Sequence, residues 1–307
     1  SARMNVLVMN DGYTTVKYDL YDMSSEQSFA RETVQRTGAV AAAIAAIAER
    51  IAGHELGAIG HRVVHGGEHL IGPTRIDDHV ERVIADCAVY APIHNPPALD
   101  GIRATRARWP QLPQVAVFDT AFHAQMPEHA FLYALPRALY LEHGIRRYGF
   151  HGPSHQFMAA CAAEALHTEL GALRLVTCHL GGGASVAAIA NGISIDTSMG
   201  MTPLEGLVMG TRSGDLDPAI PLLLARRSFS TERLERLFNF ESGLAGLAGY
   251  GADFRALEAA EARDPQARLA SEIVVHRLRK YIGAYVGELR GVDLIVFTGG
   301  IGEHAAG

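Results

Sequence analysis

Residues 175–220, LVTCHLGGGASVAAIANGISIDTSMGMTPLEGLVMGTRSGDLDPAI, restrict the possible folds more than any other stretch of the chain. Gly181, Gly182 and Gly183 stand between two β-rich runs, LVTCHL and ASVAAIA. Three glycines in that position predict a tight hairpin tip rather than a linker. Without Cβ atoms, such a tip lets backbone N–H groups come close to an anion, which is how phosphates are cradled. Further on, Thr211-Arg212-Ser213-Gly214-Asp215 places a guanidinium in a polar turn, a planar fork suited to phosphate or carboxylate. The stretch therefore predicts a phosphate site faced by an arginine.

At 307 residues the chain exceeds what one hydrophobic core usually organises, so two domains are expected. Apolar residues at 48% against 20% charged allow each a full core. The net charge of −6, with no Lys/Arg cluster interleaved with aromatics, sets nucleic-acid binding aside. No apolar run reaches the roughly 18–20 residues of a membrane-spanning helix, and the N-terminus lacks a signal pattern, so a soluble cytoplasmic protein is expected. Cys87, Cys161 and Cys178 are odd in number, far apart and set in apolar surroundings, as buried thiols in a reducing compartment would be. Ser1, Ala2 and Arg3 read as an addition ahead of Met4.

Alternation predicts strands over 5–9 and 16–23, with NDGYTT at 10–15 as the turn and Lys17 just behind it. The turn reads either as a solvated hairpin tip or as a second phosphate loop; it does not match GxxxxGK[ST]. A helix is expected over 31–52, with Val40, Ile44, Ile47 and Ile51 as its core stripe. Residues 58–64 read as a strand running into His65-Gly66-Gly67, followed by a helix near 80–89. His61, His65 and His69 recur every four residues, a zinc-like set only on a helix. Gly66-Gly67 opposes a helix and a strand would splay the side chains, so structural or surface histidines are favoured. Arg62 ends a buried strand, where a charge requires an anionic partner.

APIHNPP at 91–97 is a rigid connection ahead of a helix at 98–108. The buried strand 114–118 delivers Asp119, Thr120 and His123 at its C-terminal end, where open α/β sheets place ligands. Asp119 reads equally as a cap of the following turn. After RRYGFHGPSH a helix runs to about residue 165, and Gly152-Pro153 at its start makes an anion-facing N-terminus with His151 beside it. Helices are expected at 218–227, 231–238, 253–262 and 265–289, the last with Val274, Leu278, Tyr281, Tyr285 and Leu289 as its core stripe. LIVFTGGIGEHAAG is a buried strand running into Gly299-Gly300-Ile301-Gly302, a motif shared by nucleotide-packing turns and ordinary ones. Two hairpins with polar or glycine-rich tips, each followed by strands and helices, suggest two related α/β domains facing each other across a nucleotide cleft, at 1–123 and 124–307.

Taken in order, GHRVVHGGE, APIHNPPAL, VFDTAFH, RRYGFHGPSH, HLGGGASVAAI, DTSMGMTPLEGLVMGTRSGD, DFR and FTGGIGE resemble the acetate kinases and their propionate and butyrate relatives over nearly the whole chain. The resemblance implies an α/β fold of two actin-like ATPase, ribonuclease H-like domains. It implies a magnesium-dependent transferase, a kinase moving phosphate between ATP or ADP and a short carboxylate, acetate first, with a homodimer as the assembly. By that similarity His179, Leu180, Gly181, Gly182 and Gly183 hold ATP, together with Asp253, Phe254 and Arg255 and with Gly300, Ile301, Gly302, Glu303 and His304. Lys17 and Asn10 lie on the first phosphate hairpin, with Asn10 near the metal. Arg62 and Arg212 bind the carboxylate and the moving phosphoryl group, Asp119 is the catalytic acid, and His151 steadies the transition state. Val64, Ile93, Phe150 and Pro203 line the acyl pocket.

The chemistry agrees: a carboxylate is already ionised at pH 7, so it needs no strong base to attack phosphorus. The obstacle is repulsion between anions, which arginines, a histidine and magnesium are suited to offset. Against the family pattern, Asp11 and Tyr13 alter the first phosphate loop and Gly182 replaces an asparagine, a glycine that the butyrate relatives tend to carry. Pro153 stands for threonine and His304 for asparagine. The segment 24–60 is short, so part of the first sheet is expected to be missing, and the second domain is expected to lack its usual continuation past residue 307, which bears a metal-binding glutamate. Two other readings compete: a nucleotide-binding relative without catalysis, and a zinc hydrolase built on the histidine trio.

Overall fold

A computed structural model describes residues 4–12, 14–36, 38–250 and 253–305. Tyr13, Gly307 and the three residues ahead of Met4 lie outside that range. The chain divides into two compact units between Phe122 and His123.

The first unit is built on strands β1 (Asn5–Asp11), β2 (Thr15–Asp22), β3 (Gln27–Gln35), β4 (Leu56–Val63), β5 (Thr74–Arg75) and β6 (Gln114–Phe118), with helices α1 (Val40–Arg50), α2 (Asp78–Asp86) and α3 (Asn95–Arg108). The sheet order is β3-β2-β1-β4-β6-β5. β1, β4 and β6 run parallel, and β2 and β3 extend the sheet antiparallel. Strand periodicity sorts the two faces. Leu7, Met9, Val16, Tyr18, Leu20 and Ile59 are buried with Ala43, Ile44 and Ile47 of α1. Val63, Ala116 and Phe118 continue this core against Val80, Ile84 and Ile102 of α2 and α3.

The expected helix over 31–52 is corrected: only Val40–Arg50 is helical, and Gln27–Gln35 is a third strand. The apolar stripe begins only at Val40, and Gly38 ahead of it takes φ +100°, which a helix cannot hold. Gln27–Gln35 instead pairs along β2, with Ala30 and Val34 packed on the core edge. The first unit thus has a six-stranded sheet despite its short 24–60 segment.

The second unit carries β7 (Arg174–Leu180), β8 (Ala184–Ala190), β9 (Ile193–Thr197) and β10 (Leu294–Thr298), in the order β10-β7-β8-β9. Its helices are α4 (Glu128–Phe131), α5 (Arg137–His143), α6 (Gly152–Ala165), α7 (Ala219–Arg226), α8 (Thr231–Phe240), α9 (Gly243–Ala248), α10 (Phe254–Ala260), α11 (Pro265–Glu288) and α12 (Gly299–His304). β7 and β8 are buried on both faces, which is why they read as nearly continuous apolar runs, and α6 and α11 pack on them. Gly149, just ahead of α6, sits at φ +76° with no room for a side chain: a Cβ there would lie 2.4 Å from Thr197 Cγ2 and 2.7 Å from His123 Cδ2. Cys87 and Cys178 are buried, Cys161 is half-buried, and all three are free thiols. Among the described residues, no helix is long and apolar enough to cross a membrane.

Candidate active site

In the first unit, the β1–β2 hairpin pairs Asn10 with Lys17, so their side chains leave the same face of the sheet. The parallel register Met9↔His61 brings Arg62 of β4 next to them, on the face opposite the helices. Arg62 donates from Nε to Asp119 Oδ1 at 2.8 Å and from Nη2 to Asp119 Oδ2 at 2.6 Å, a two-pronged pair at the end of β6. A longer bond, 3.3 Å, runs from Nη1 to Asn10 Oδ1. Asp119 is 2% exposed, and its charge holds the Arg62 guanidinium above the ordinary arginine range. Arg62 thus has the anionic partner its position required, and Asp119 does more than cap a turn. Lys17 and Ile93 are exposed, and Val64 is buried.

Asp11 points the other way. Alternation turns it to the helix side, where a Cβ on Gly101 would lie 2.2 Å from its Oδ2. Burial raises its pKa to about 7. The extra acid of this loop therefore does not sit on the Asn10–Lys17 face. The histidine trio is dispersed as well. His61 is buried on the helix side, 2.9 Å from Gln114 Oε1, and burial lowers its pKa to about 4. His65 Nδ1 accepts from the Gly67 N–H at 3.0 Å. No group of three potential metal ligands occurs among the described residues.

In the second unit, β7 and β8 join at the glycine tip, closed by Gly181 N–H to Gly183 O at 3.0 Å. Gly181, Gly182, residues 253–255, Gly300, Ile301 and His304 line one cavity of about 500 Å³, which unites three segments far apart in sequence. Leu180 and Gly302 line the adjoining groove. Gly299 at φ +81° lets α12 start against β7, since a Cβ there would lie 2.5 Å from Leu180 O. Asp253 caps α10, accepting from Arg255 N–H at 3.0 Å.

His151 precedes α6 with left-handed backbone, φ 57°. Its ring stacks on His179 with centroids 4.3 Å apart, and its Nδ1 lies 2.9 Å from Ser185 Oγ. His179 Nδ1 in turn lies 2.8 Å from Ser154 Oγ. Arg212 donates from Nη1 to Pro203 O at 2.9 Å. A Cβ placed on Gly183 would meet His151 Nε2 at 3.3 Å and Arg212 Nη1 at 3.6 Å, so both groups converge beside the tip. Phe150 is 1% exposed, and its carbonyl accepts from His123 Nε2 at 3.0 Å.

Several supporting residues escape a reading of the sequence. Asn95 bridges the backbone around His65, accepting from its N–H at 3.1 Å and donating to its carbonyl at 3.0 Å. Arg147 donates to the carbonyls of Thr197 and Met199, each at 3.0 Å, and to Glu205 Oε1 at 2.7 Å, ordering the loop that carries Pro203. Thr177, His155 and Ser185 form a fully buried line behind His151. The signal was the four-residue step from His151 to His155 and the lone hydroxyls inside apolar strands.

Two α/β units of this build define an actin-like ATPase fold carrying a phosphotransferase. The chain belongs to the acetokinase family, whose model matches residues 24–307. An acetate kinase of Arthrobacter sp. is 47% identical over 321 residues, covering 98% of this chain and 83% of that protein. That alignment is longer than the 307 residues of the chain, so the relative carries residues absent here. Among solved structures, a propionate kinase from Francisella tularensis matches at TM-score 0.94 and 37% identity, covering 99% of this chain and 85% of that one. The acetate kinase of Porphyromonas gingivalis matches at 0.90 and 38%, covering 98% and 84%.

Proposed function

We propose that the protein transfers the γ-phosphoryl group of ATP to acetate, giving acetyl phosphate and ADP reversibly. The observation that carries this reading is the convergence of His151 Nε2 and Arg212 Nη1 on Gly183, beside the cavity lined by the three nucleotide-type segments. Two cationic or donor groups at one spot suit a phosphoryl group spreading charge over its oxygens during transfer.

In this reading the segments 179–183, 253–255 and 300–304, with Lys17, bind ATP. Arg62 and Arg212 hold the carboxylate and the moving phosphoryl group, and His151 donates to its oxygens. Val64, Ile93, Phe150 and Pro203 are the apolar contacts of the acyl methyl. The carboxylate attacks as the anion it already is at pH 7, so the residues must orient it and offset charge rather than remove a proton. Both oxygens of Asp119 are engaged by Arg62, which makes it the group that aims the guanidinium rather than a base. Asn10 offers a neutral carbonyl oxygen, the hard donor type magnesium takes when phosphates and waters supply the rest. Bound there, the ion would neutralise phosphate charge. The same reading carries a cytoplasmic homodimer, which sedimentation of the purified chain tests.

Hydroxylamine trapping with magnesium, ATP and acetate, propionate or butyrate tests the activity. Hydroxamate should form with acetate most efficiently, one methylene being worth about 1–3 kcal/mol in such a pocket. ATP binding without hydroxamate from any of the three acids would favour a binding protein instead.

A further inference from the structure

Behind His151, three buried groups stand in line. Thr177 Oγ1 lies 2.7 Å from His155 Nδ1, His155 Nε2 lies 2.8 Å from Ser185 Oγ, and Ser185 Oγ lies 2.9 Å from His151 Nδ1. Thr177, His155 and Ser185 are all 0% exposed. Desolvation, and next the imidazoles of His123 and His179, push the His155 pKa well below the ordinary histidine value, so its ring is neutral. A neutral imidazole donates from one nitrogen and accepts at the other.

Counting hydrogens fixes which nitrogen does which. If His155 carried its proton on Nδ1, it would donate to Thr177. The Thr177 hydroxyl hydrogen, buried and with His155 as its one partner among the described residues, would then have no acceptor. If the proton is on Nε2, Thr177 donates to Nδ1, Nε2–H donates to Ser185, and the Ser185 hydroxyl donates to His151 Nδ1. The second ordering alone satisfies every hydrogen in the line, and buried polar groups are costly when left unpaired.

We infer that Thr177, His155 and Ser185 form a one-way hydrogen-bond chain that fixes His151 as an acceptor at Nδ1 and a donor at Nε2, making them positioning residues for the transfer reaction proposed above, on which the role rests. The donor end is the useful one. His151 Nε2 faces the spot by Gly183 that Arg212 Nη1 also approaches, and an N–H there would meet developing negative charge where the other tautomer would present a lone pair. Stacking on His179, with centroids 4.3 Å apart, holds the ring against rotation.

Long-range proton–nitrogen spectra of protein labelled with ¹⁵N-histidine read the tautomer without turnover, with His151 assigned by its loss in His151→Gln. His151 should carry its hydrogen on Nε2 in the wild type. Thr177→Val keeps the shape but removes the first hydroxyl, so it should admit the Nδ1–H form at His151, three residues down the line. Thr177→Ser should restore the wild-type spectrum. Ser185→Ala should have the same spectral effect and lower kcat by about 3- to 10-fold, the worth of one hydrogen bond, with KM for ATP and acetate within about twofold. Should Ser185→Ala fail to fold, the Thr177 pair decides. A wild-type Nδ1–H tautomer, or a Thr177→Val spectrum identical to wild type at His151, overturns the inference. Absence of acyl phosphate from the wild type would instead defeat the kinase reading and leave the tautomer result standing.

Discussion

The first unit meets the demands of a buried polar site with a charge pair, Arg62 clasping Asp119 at 2.6 and 2.8 Å, while the second meets them with neutral imidazoles and hydroxyls arrayed behind His151. The two solutions fail differently. A charge pair fixes one arginine strongly, but removing either partner strands the other charge. A neutral line costs little to bury, but its direction depends on each member holding its proton in the right place. An arginine that must meet anionic substrates suits the first, and a histidine that must stay a donor suits the second.

The largest test of the contrast is Arg62→Ala. Losing an arginine of this kind should lower turnover by roughly 10³-fold, and leaving Asp119 buried without its partner should cost about 3 kcal/mol of stability by urea unfolding. The loss sits at the low end for such pairs because the Arg62 side chain is 38% exposed. An alanine variant with normal turnover and an unchanged midpoint would show that the pair does neither job.

Acid should come next, and it should act on neutral histidines in both units. The folded pKa values of His61 and His155 lie below the ordinary 6.5, that of His61 at about 4. The unfolded chain therefore binds the extra protons. Stability is fully present above pH 6.5 and is lost as pH falls toward 4, by about 3 kcal/mol for His61 alone. Buried Asp11, with its folded pKa at about 7, acts in the opposite sense between pH 5 and pH 7. The histidine share is therefore read by comparing wild type with His61→Gln, whose unfolding midpoint should fall less on going from pH 7 to pH 5. Identical pH dependence in the two proteins would mean that the His61 ring is not held neutral.

Gly149→Ala probes the neutral region by shape. Its Cβ would meet Thr197 Cγ2 at 2.4 Å and the His123 ring at φ +76°, so about 2–3 kcal/mol should be lost. At the small end, Arg103→Ala removes an exposed pair with Glu81 and should change stability by less than about 1 kcal/mol. If Arg103 mattered as much as Arg62, burial would not be what separates the two pairs.

Much of this was legible in the sequence where the signal was local. The glycine tip, the strand at Gln114–Phe118 and the helix Gly152–Ala165 follow from alternation, turn residues and a proline at the helix start. Residues 31–35 were not, because a polar edge strand has no buried face to impose a period, and only pairing with β2 selects it. The two α/β units were foreshadowed by their hairpins. The side of the sheet taken by Asp11 follows from strand alternation, yet its burial against Gly101 depends on α3. The line Thr177–His155–Ser185 joins β7, α6 and β8, so the step from His151 to His155 and the lone hydroxyls mark its members, and only the fold brings them together.

The most direct test of the central claim labels the nucleophile. With ¹⁸O-acetate, magnesium and ATP, followed by hydroxylamine, attack of the carboxylate on the γ-phosphorus leaves a label in the bridging oxygen of acetyl phosphate. Hydroxylamine then takes the acyl carbon and releases phosphate carrying one ¹⁸O, visible as an isotope shift in the phosphorus spectrum. Phosphate carrying that single label is the expected product. Unlabelled phosphate, or ATP cleavage that ignores acetate, would contradict carboxylate attack.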